Sequence, residues 1–279
     1  MNNTIFTAIL DNIPYKLKSP FDFSFLQEYG RVFKIYDGQD SGSICFCMTC
    51  DKTGKRHFIK FAGAPTVLAN VSPEEAIARM RGTIKVYQDL AHPNLTQLLD
   101  SFDVAGGIAM VFEWHDAEYL GKQYPASREK FLQLGKAERL GVFDDIIQFH
   151  LHVAACGYVA IDFYDGSIMY DFKRGKTIIC DIELYAKSPQ TNTMGRMCGS
   201  STYMSPEEFT LGATIDEVTN VYTMGAAAFV LFGGGKDREF DKWRLSRELF
   251  EVATSAVSAE RGNRQQTIAA FAEEWRMQS

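Results

Sequence analysis

The chain has 279 residues, 46% of them hydrophobic and 23% charged, with a formal net charge of −6. That apolar share suffices for one large core or two modest ones. The acidic balance with no basic cluster argues against a nucleic-acid partner, and no apolar run reaches the roughly 20 residues of a membrane span.

The opening "MNNTIFTAILDNIP" has no positive n-region and no small-residue cleavage site, so no signal peptide is expected. The next part reads as β-rich. "RVFKIYD", "SICFCMTC" and "RHFIKFAG" are short runs of β-branched and aromatic residues, punctuated by the turn formers of "DGQDSG" and "DKTGK". Cys45 and Cys47 alternate with Phe46, as residues facing one side of a strand would. The remaining cysteines, Cys50, Cys156, Cys180 and Cys198, complete no four-ligand zinc set. Reduced thiols and a cytoplasmic location are therefore expected.

A helix is expected from Ser72, a good N-cap followed by Pro73, Glu74 and Glu75, to about Leu90. Strands follow in "LTQLLDSFD" and "GIAMVFEW". Beyond Trp114 the pattern turns helical. "REKFLQLGKAERLGVFDDIIQFHLHVAACG" carries apolar residues at helical spacing and stops on a glycine. Short strands flank "AIDFYDGSIMYD" and run through "KTIICDIELY". Three helices close the chain, in "EVTNVYTMGAAAFVLF", "RLSRELFEVATSAVSA" and "RQQTIAAFAEEWRMQ". The "MGAAAFVLFGGG" stretch is too short to span a membrane and reads as a buried helix. The whole is an α+β arrangement, with a β-rich part over residues 1–113 and a helical part over 114–279.

Four landmarks stand in one order: the strand lysine of "HFIK", "AHPNL", the aspartate loop "AIDFYDGSIMYD" and "GSSTYMSPEEF". Their order and spacing resemble the protein kinase superfamily, in particular bacterial serine/threonine protein kinases, from about Tyr29 to Arg276. The resemblance implies a bilobal protein kinase-like fold, with a small β-rich N-lobe, a larger helical C-lobe and a cleft between them. It implies ATP with Mg²⁺ or Mn²⁺, and transfer of the γ-phosphate to a hydroxyl of a protein or a small molecule. Lys60 would hold the α- and β-phosphates. "YDGQDSGSI" stands in the place of the glycine-rich loop, where Gly38, Gly42 and Ile44 would contact the nucleotide. Phe112 would lie behind the adenine, and the backbone of Glu113 and His115 would bond the base, with the His115 side chain exposed. Asp162 would orient the attacking hydroxyl and accept its proton, while Asp181 of "CDIE" would be the main Mg²⁺ ligand. Ser167 stands where the family has a metal-binding asparagine. Glu183 follows as a further acid, able to join the metal shell or pair with Lys60, or simply facing solvent. Asp165 is a candidate substitute ligand at a different offset. Glu207 of "SPE" would pair with Arg264.

The sequence also departs from that pattern. The helix glutamate that would pair with Lys60 is Thr83, and Glu74 and Glu75 lie about 12 Å further along the axis. Asp37 and Gln39 replace two glycines of the loop, and Asp37 and Asp40 would repel phosphate if turned inward. Ala160 and Ile161 replace a histidine and an arginine, Tyr164 replaces a lysine, and Asn220 replaces an aspartate. The poor glycine loop, Thr83, Ser167 and the "DIE" of Asp181–Glu183 favour a second class of function: a pseudokinase that binds nucleotide or scaffolds a partner without transferring phosphate.

Overall fold

The structure, a computed structural model, describes residues 5–104 and 106–279. The first four residues of the stretch examined for a signal peptide lie outside them. The fold is mixed α+β, sheet-rich toward the N-terminus and helical toward the C-terminus. Two compact units are distinguished: Met1–Gln88 with Thr96–His115, and Asp89–Leu95 with Asp116–Ser279.

The N-terminal unit opens on a hairpin of β1 (Phe6–Leu10) and β2 (Ile13–Leu17). Asp11 and Asn12 form its two-residue turn at φ 50° and 67°, the backbone that a type I′ hairpin demands. The main sheet contains β3 (Arg31–Tyr36), β4 (Ser43–Thr49), β5 (Arg56–Ala62), β6 (Leu98–Val104) and β7 (Gly107–Glu113), in the order β3-β4-β5-β7-β6. The hairpin and a 3₁₀ turn at Ser24–Glu28 supply Tyr15, Leu17, Phe23 and Leu26 to one core, with Ile44, Phe46, Met48 and Phe61 of the sheet. Phe23 is its hub, with ring centroids 5.0 Å from Phe46 and 5.8 Å from Phe61. The helix α1 (Pro73–Asp89) begins as its sequence requires. Ser72 Oγ accepts from Glu75 N at 3.2 Å, and the Glu75 carboxylate accepts from Ser72 N at 2.8 Å, a capping box.

The C-terminal unit has β8 (Glu118–Tyr119), then α2 (Pro125–Leu132) and α3 (Lys136–Ala155). The helical run after Trp114 is thus two helices. The chain breaks at 133–135, where Gly135 leaves the helical conformation at ψ 156° and starts α3. Short strands β9 (Tyr158–Val159), β10 (Ile168–Asp171), β11 (Lys176–Ile179), β12 (Ala186–Lys187), β13 (Gln190–Thr191) and β14 (Thr214–Ile215) follow. Last come α4 (Glu217–Phe232), α5 (Arg247–Ala256) and α6 (Ile268–Gln278). Every residue of α4 from Thr219 onward is buried, as expected of a helix apolar on all sides. Phe143 of α3 packs edge-on to Phe232 of α4 and, with centroids 4.7 Å apart, to Trp275 of α6. Asn94 of "AHPNL" belongs to this unit: its side chain donates to Thr177 O at 3.1 Å, and its carbonyl accepts from Ile179 N at 2.6 Å. No disulfide joins any of the six cysteines. Among the described residues no helix is long and apolar enough to cross a membrane.

His150 of α3 is buried among aromatic rings, its centroid 4.5 Å from that of Phe163. Nδ1 lies 2.8 Å from Ile146 O and so carries the proton, leaving Nε2 to accept from Tyr185 Oη at 3.2 Å. Burial pushes its pKa down to about 4. An unfolded histidine, near 6.5, binds a proton that the folded state refuses. The stability due to this group is therefore complete above pH ~6.5 and lost as pH falls toward 4. Urea titrations from pH 7 to 4.5 should show wild-type stability declining more steeply than that of His150→Gln. The variant comparison cancels groups that titrate in both proteins, so parallel declines would rule this account out.

Candidate functional site

In the N-terminal unit, Lys60 lies on β5, the middle strand of the sheet, directly across from Cys45 on β4 and Met110 on β7. Directly opposed residues share a face, so Lys60, Cys45 and Met110 point to one side. Phe112, two residues beyond Met110, shares that side and packs edge-on against Tyr87 of α1 with centroids 4.9 Å apart. Ile44 pairs with Phe61, which puts it on the opposite face, where it is fully buried in the aromatic core. Ile44 and Lys60 thus point to opposite faces of the sheet. A register difference of one residue moves a side chain through the sheet, and Cys45 is the residue of β4 on the lysine's face. Strict alternation along "SICFCMTC" was the signal that could have found it.

The loop before β4 is also differently employed. Gly42 is buried at φ 82°, and a Cβ there would stand 3.0 Å from both Ala76 Cβ and Val71 Cγ2. Its own packing thus requires glycine. Gly38 is exposed, with only Leu68 near an added Cβ at 3.9 Å. Asp37 is turned toward the N-terminal hairpin and accepts from Lys16 N at 2.7 Å. Thr83 is buried, its hydroxyl donating back to Arg79 O at 3.0 Å. Glu75 serves the helix cap described above. The Glu113 N–H is donated to Gln97 O at 2.9 Å, so that donor is engaged within the unit. The His115 side chain is only 11% exposed, with Nε2 3.7 Å from the Glu113 carboxylate. The expectation of an exposed side chain is corrected.

In the C-terminal unit the loop from Ala160 to Ser167 is held at its start by α4. Asn220 accepts from Ala160 N and donates to Ala160 O, each at 2.7 Å, with all of these atoms buried. Two residues on, Asp162 has φ 63°, and Asp181 has φ 58°. Apart from the β1–β2 turn, these are the positive-φ non-glycine residues among those described. Such backbone costs of order 1–3 kcal/mol and persists where its surroundings over-determine it, commonly at functional sites. The Asp162 carboxylate lies 3.5 Å from where a Gly199 Cβ would stand, and Gly199 has φ 141°. Glycine there lets the following segment pass close to the acid, a contact that no motif in the sequence announced.

Ser167 and Asp181 lie just beyond the ends of the β10–β11 hairpin. Ile168 faces Ile179, and one rung further Cys180 N donates to Ser167 O at 2.9 Å. The backbone of Ser167 is thereby tied to Cys180, the residue before Asp181. Ser167 Oγ is buried and has no hydrogen-bond partner among the described residues. Glu183 is half-buried in the turn after Asp181. No group of three or more His, Cys, Asp or Glu side chains is assembled to hold a metal among the described residues. Asp165 is not available as a substitute ligand: it is buried, and its carboxylate accepts from Arg128 of α2 at 2.8 Å.

Glu207 and Arg264 form the expected pair, bidentate at 2.7 and 3.0 Å and buried on both sides. Arg261 adds a second cation to Glu207 at 2.6 Å and reaches Asp216 as well, a partner the sequence reading did not include. Burial would raise the Glu207 pKa, but Arg264 and Arg261 bring it below its ordinary value. Its neighbour Glu208 has no cation among the causes of its shift. Burial, reinforced by Glu207 and Asp162, pushes it up to about 7 against the bonds from Ser205. Tyr164 is pushed up to about 12 by burial and by the negative charges of Asp181, Asp162 and Asp165.

A comparison with models of known protein families found none that matches the chain. The Asn220 clamp gives a direct test of the site's support. Asn220→Ala leaves the buried N–H and C=O of Ala160 unpaired, at about 1–3 kcal/mol each. Asn220→Asp keeps the acceptor but loses the donor and buries a charge. Denaturant titration at pH 8 should find both variants less stable than wild type; equal stabilities would remove the clamp from the account.

Proposed function

We propose that the protein is an ATP-dependent phosphotransferase of protein-kinase-like design, acting on a hydroxyl. The observation that carries this reading is the left-handed backbone at Asp162 and Asp181. These are the two acids to which the sequence resemblance gives the chemistry, and the strain singles them out independently of any motif. In this reading Asp162 orients the acceptor hydroxyl and takes its proton as the oxygen bonds to the γ-phosphorus and the bond to ADP breaks. Lys60 holds the α- and β-phosphates. The residues fit a divalent cation, because Ser167 Oγ is a buried oxygen without a partner among the described residues and its backbone is tied beside Asp181. Mg²⁺ there would be held by Asp181 and Ser167, with Glu183 and water completing the shell, and would neutralise phosphate charge.

A second reading, a pseudokinase that binds nucleotide without transferring phosphate, is favoured by Thr83. The helix position that would supply a carboxylate to Lys60 holds a buried hydroxyl satisfied by its own helix. The two readings separate in a single-turnover assay of γ-phosphate loss from ATP with Mg²⁺ or Mn²⁺. Wild type should turn over, and Asp162→Asn should slow it by about a hundredfold or more. Equal rates would sink the catalytic assignment. No turnover, together with a thermal shift matching the ~2.7 kcal/mol expected at a hundred times Kd, would establish the pseudokinase reading.

A further inference from the structure

A surface cavity of about 340 Å³ lies between α5 and α6 in the C-terminal unit. Glu248, Glu251, Val252 and Ser255 line it from α5, and Glu274 and Met277 from α6. The four α5 residues follow at i, i+3, i+4 and i+7, so they form one face of that helix. Glu248 and Glu251 are therefore like charges at neighbouring helical positions, which repel, and Glu274 adds a third from the other helix. No ion pair reaches any of the three among the described residues. The arginines beside them in sequence are turned elsewhere. Arg247 stacks over the Phe240 ring at 4.1 Å, and Arg276 donates to Asp144 at 2.8 and 2.9 Å. An independent feature stands behind the same wall. Gln265 is only 6% exposed, and its Nε2 donates to Glu274 Oε2 at 2.7 Å and to Val252 O at 3.4 Å. Its carboxamide is thereby turned to the cavity lining, yet its Oε1 is buried with no hydrogen-bond partner among the described residues. The Ser255 hydroxyl does not supply one, since it donates to Asn263 O at 2.8 Å. Three anions and a buried acceptor thus meet at this cavity, and all four call for a donor.

We propose that the α5–α6 cavity binds a linear aliphatic polyamine, its ammonium groups paired with Glu248, Glu251 and Glu274 and its methylenes lying on Val252 and Met277. The volume falls within the range of small-molecule sites. The carboxylates are not assembled to share one metal ion, since no group of three acid, histidine or cysteine side chains is so placed among the described residues. Separated carboxylates suit a ligand whose charges are spread along a chain. A protonated amine is all donor and no acceptor, which matches both the three anions and the buried Oε1. Gln265 holds Glu274 through a neutral N–H, so it fixes that carboxylate without cancelling its charge. A lysine or arginine of a partner protein shares this chemistry at its tip, but it brings one charge to three carboxylates.

Spermidine binding to the full chain is measured by calorimetry at about 0.15 M NaCl, where diffuse surface attraction is screened. A single saturable site is expected. Glu251→Gln and Glu274→Gln should each weaken it by about tenfold or more. Glu273→Gln removes the same charge from an exposed residue of α6 outside the cavity and should leave affinity unchanged. Thermal unfolding without ligand separates binding from structure: Glu251→Gln relieves a repulsion, so it should melt no lower than wild type, while spermidine should raise the wild-type midpoint more than that of either cavity variant. No saturable binding by wild type overturns the proposal. Equal weakening by Glu273→Gln overturns it in favour of diffuse charge, and displacement of spermidine by equimolar Mg²⁺ overturns it in favour of a simple ion. Tighter binding of tetralysine than of spermidine overturns the polyamine assignment in favour of a basic peptide.

Discussion

The C-terminal unit depends on one side chain bonding the backbone of one residue twice. Asn220 offers a donor and an acceptor 2.7 Å from the carbonyl and N–H of Ala160. A neutral carboxamide does this without burying charge, where a carboxylate could satisfy only the N–H and would carry its desolvation cost. The helix that supplies Asn220 is buried all round, so the anchor is as rigid as the core. With Ala160 fixed, the chain can enter the unfavourable backbone of Asp162 two residues later. The far end of the loop is fixed by the β10–β11 ladder, and its middle by the Arg128–Asp165 pair. The strain at Asp162 is thus maintained by three attachments from three different elements.

The segment that follows is organised around Glu207. Two arginines reach its carboxylate, and Arg264 is completely buried. Removing one member of such a pair typically costs about 3–5 kcal/mol, because the other is left buried and unpaired. Asn192 adds a neutral tie, donating to Gly195 O at 2.6 Å and to Glu207 O at 3.1 Å. The result is a segment whose backbone is fixed at 192, 195 and 207, and which passes Gly199 close to Asp162.

What could be read from the sequence follows from how local each signal is. The start of α1 is written in four consecutive residues, Ser72 to Glu75, and the apolar run of α4 declares its own burial. The Glu207–Arg264 pair was legible only through family resemblance, since nothing local links residues 57 apart. Arg261 escaped for that reason. The first hairpin was missed although Asp11-Asn12 is a turn dipeptide, because the short runs beside it alternate weakly and include Pro14. The helix break at Gly135 was hidden by apolar periodicity that continues on both sides of it.

Carboxylates in the C-terminal unit are sorted by their access to water. Glu207 is neutralised by two arginines and Asp165 by one, and both are buried. Glu208 is buried without such a partner and is held largely protonated below about pH 7. Asp162 is half-buried, while Asp181 is exposed. Buried acids are therefore either paired or neutral, as desolvation requires, whereas the two acids on left-handed backbone are open to solvent in part or in full.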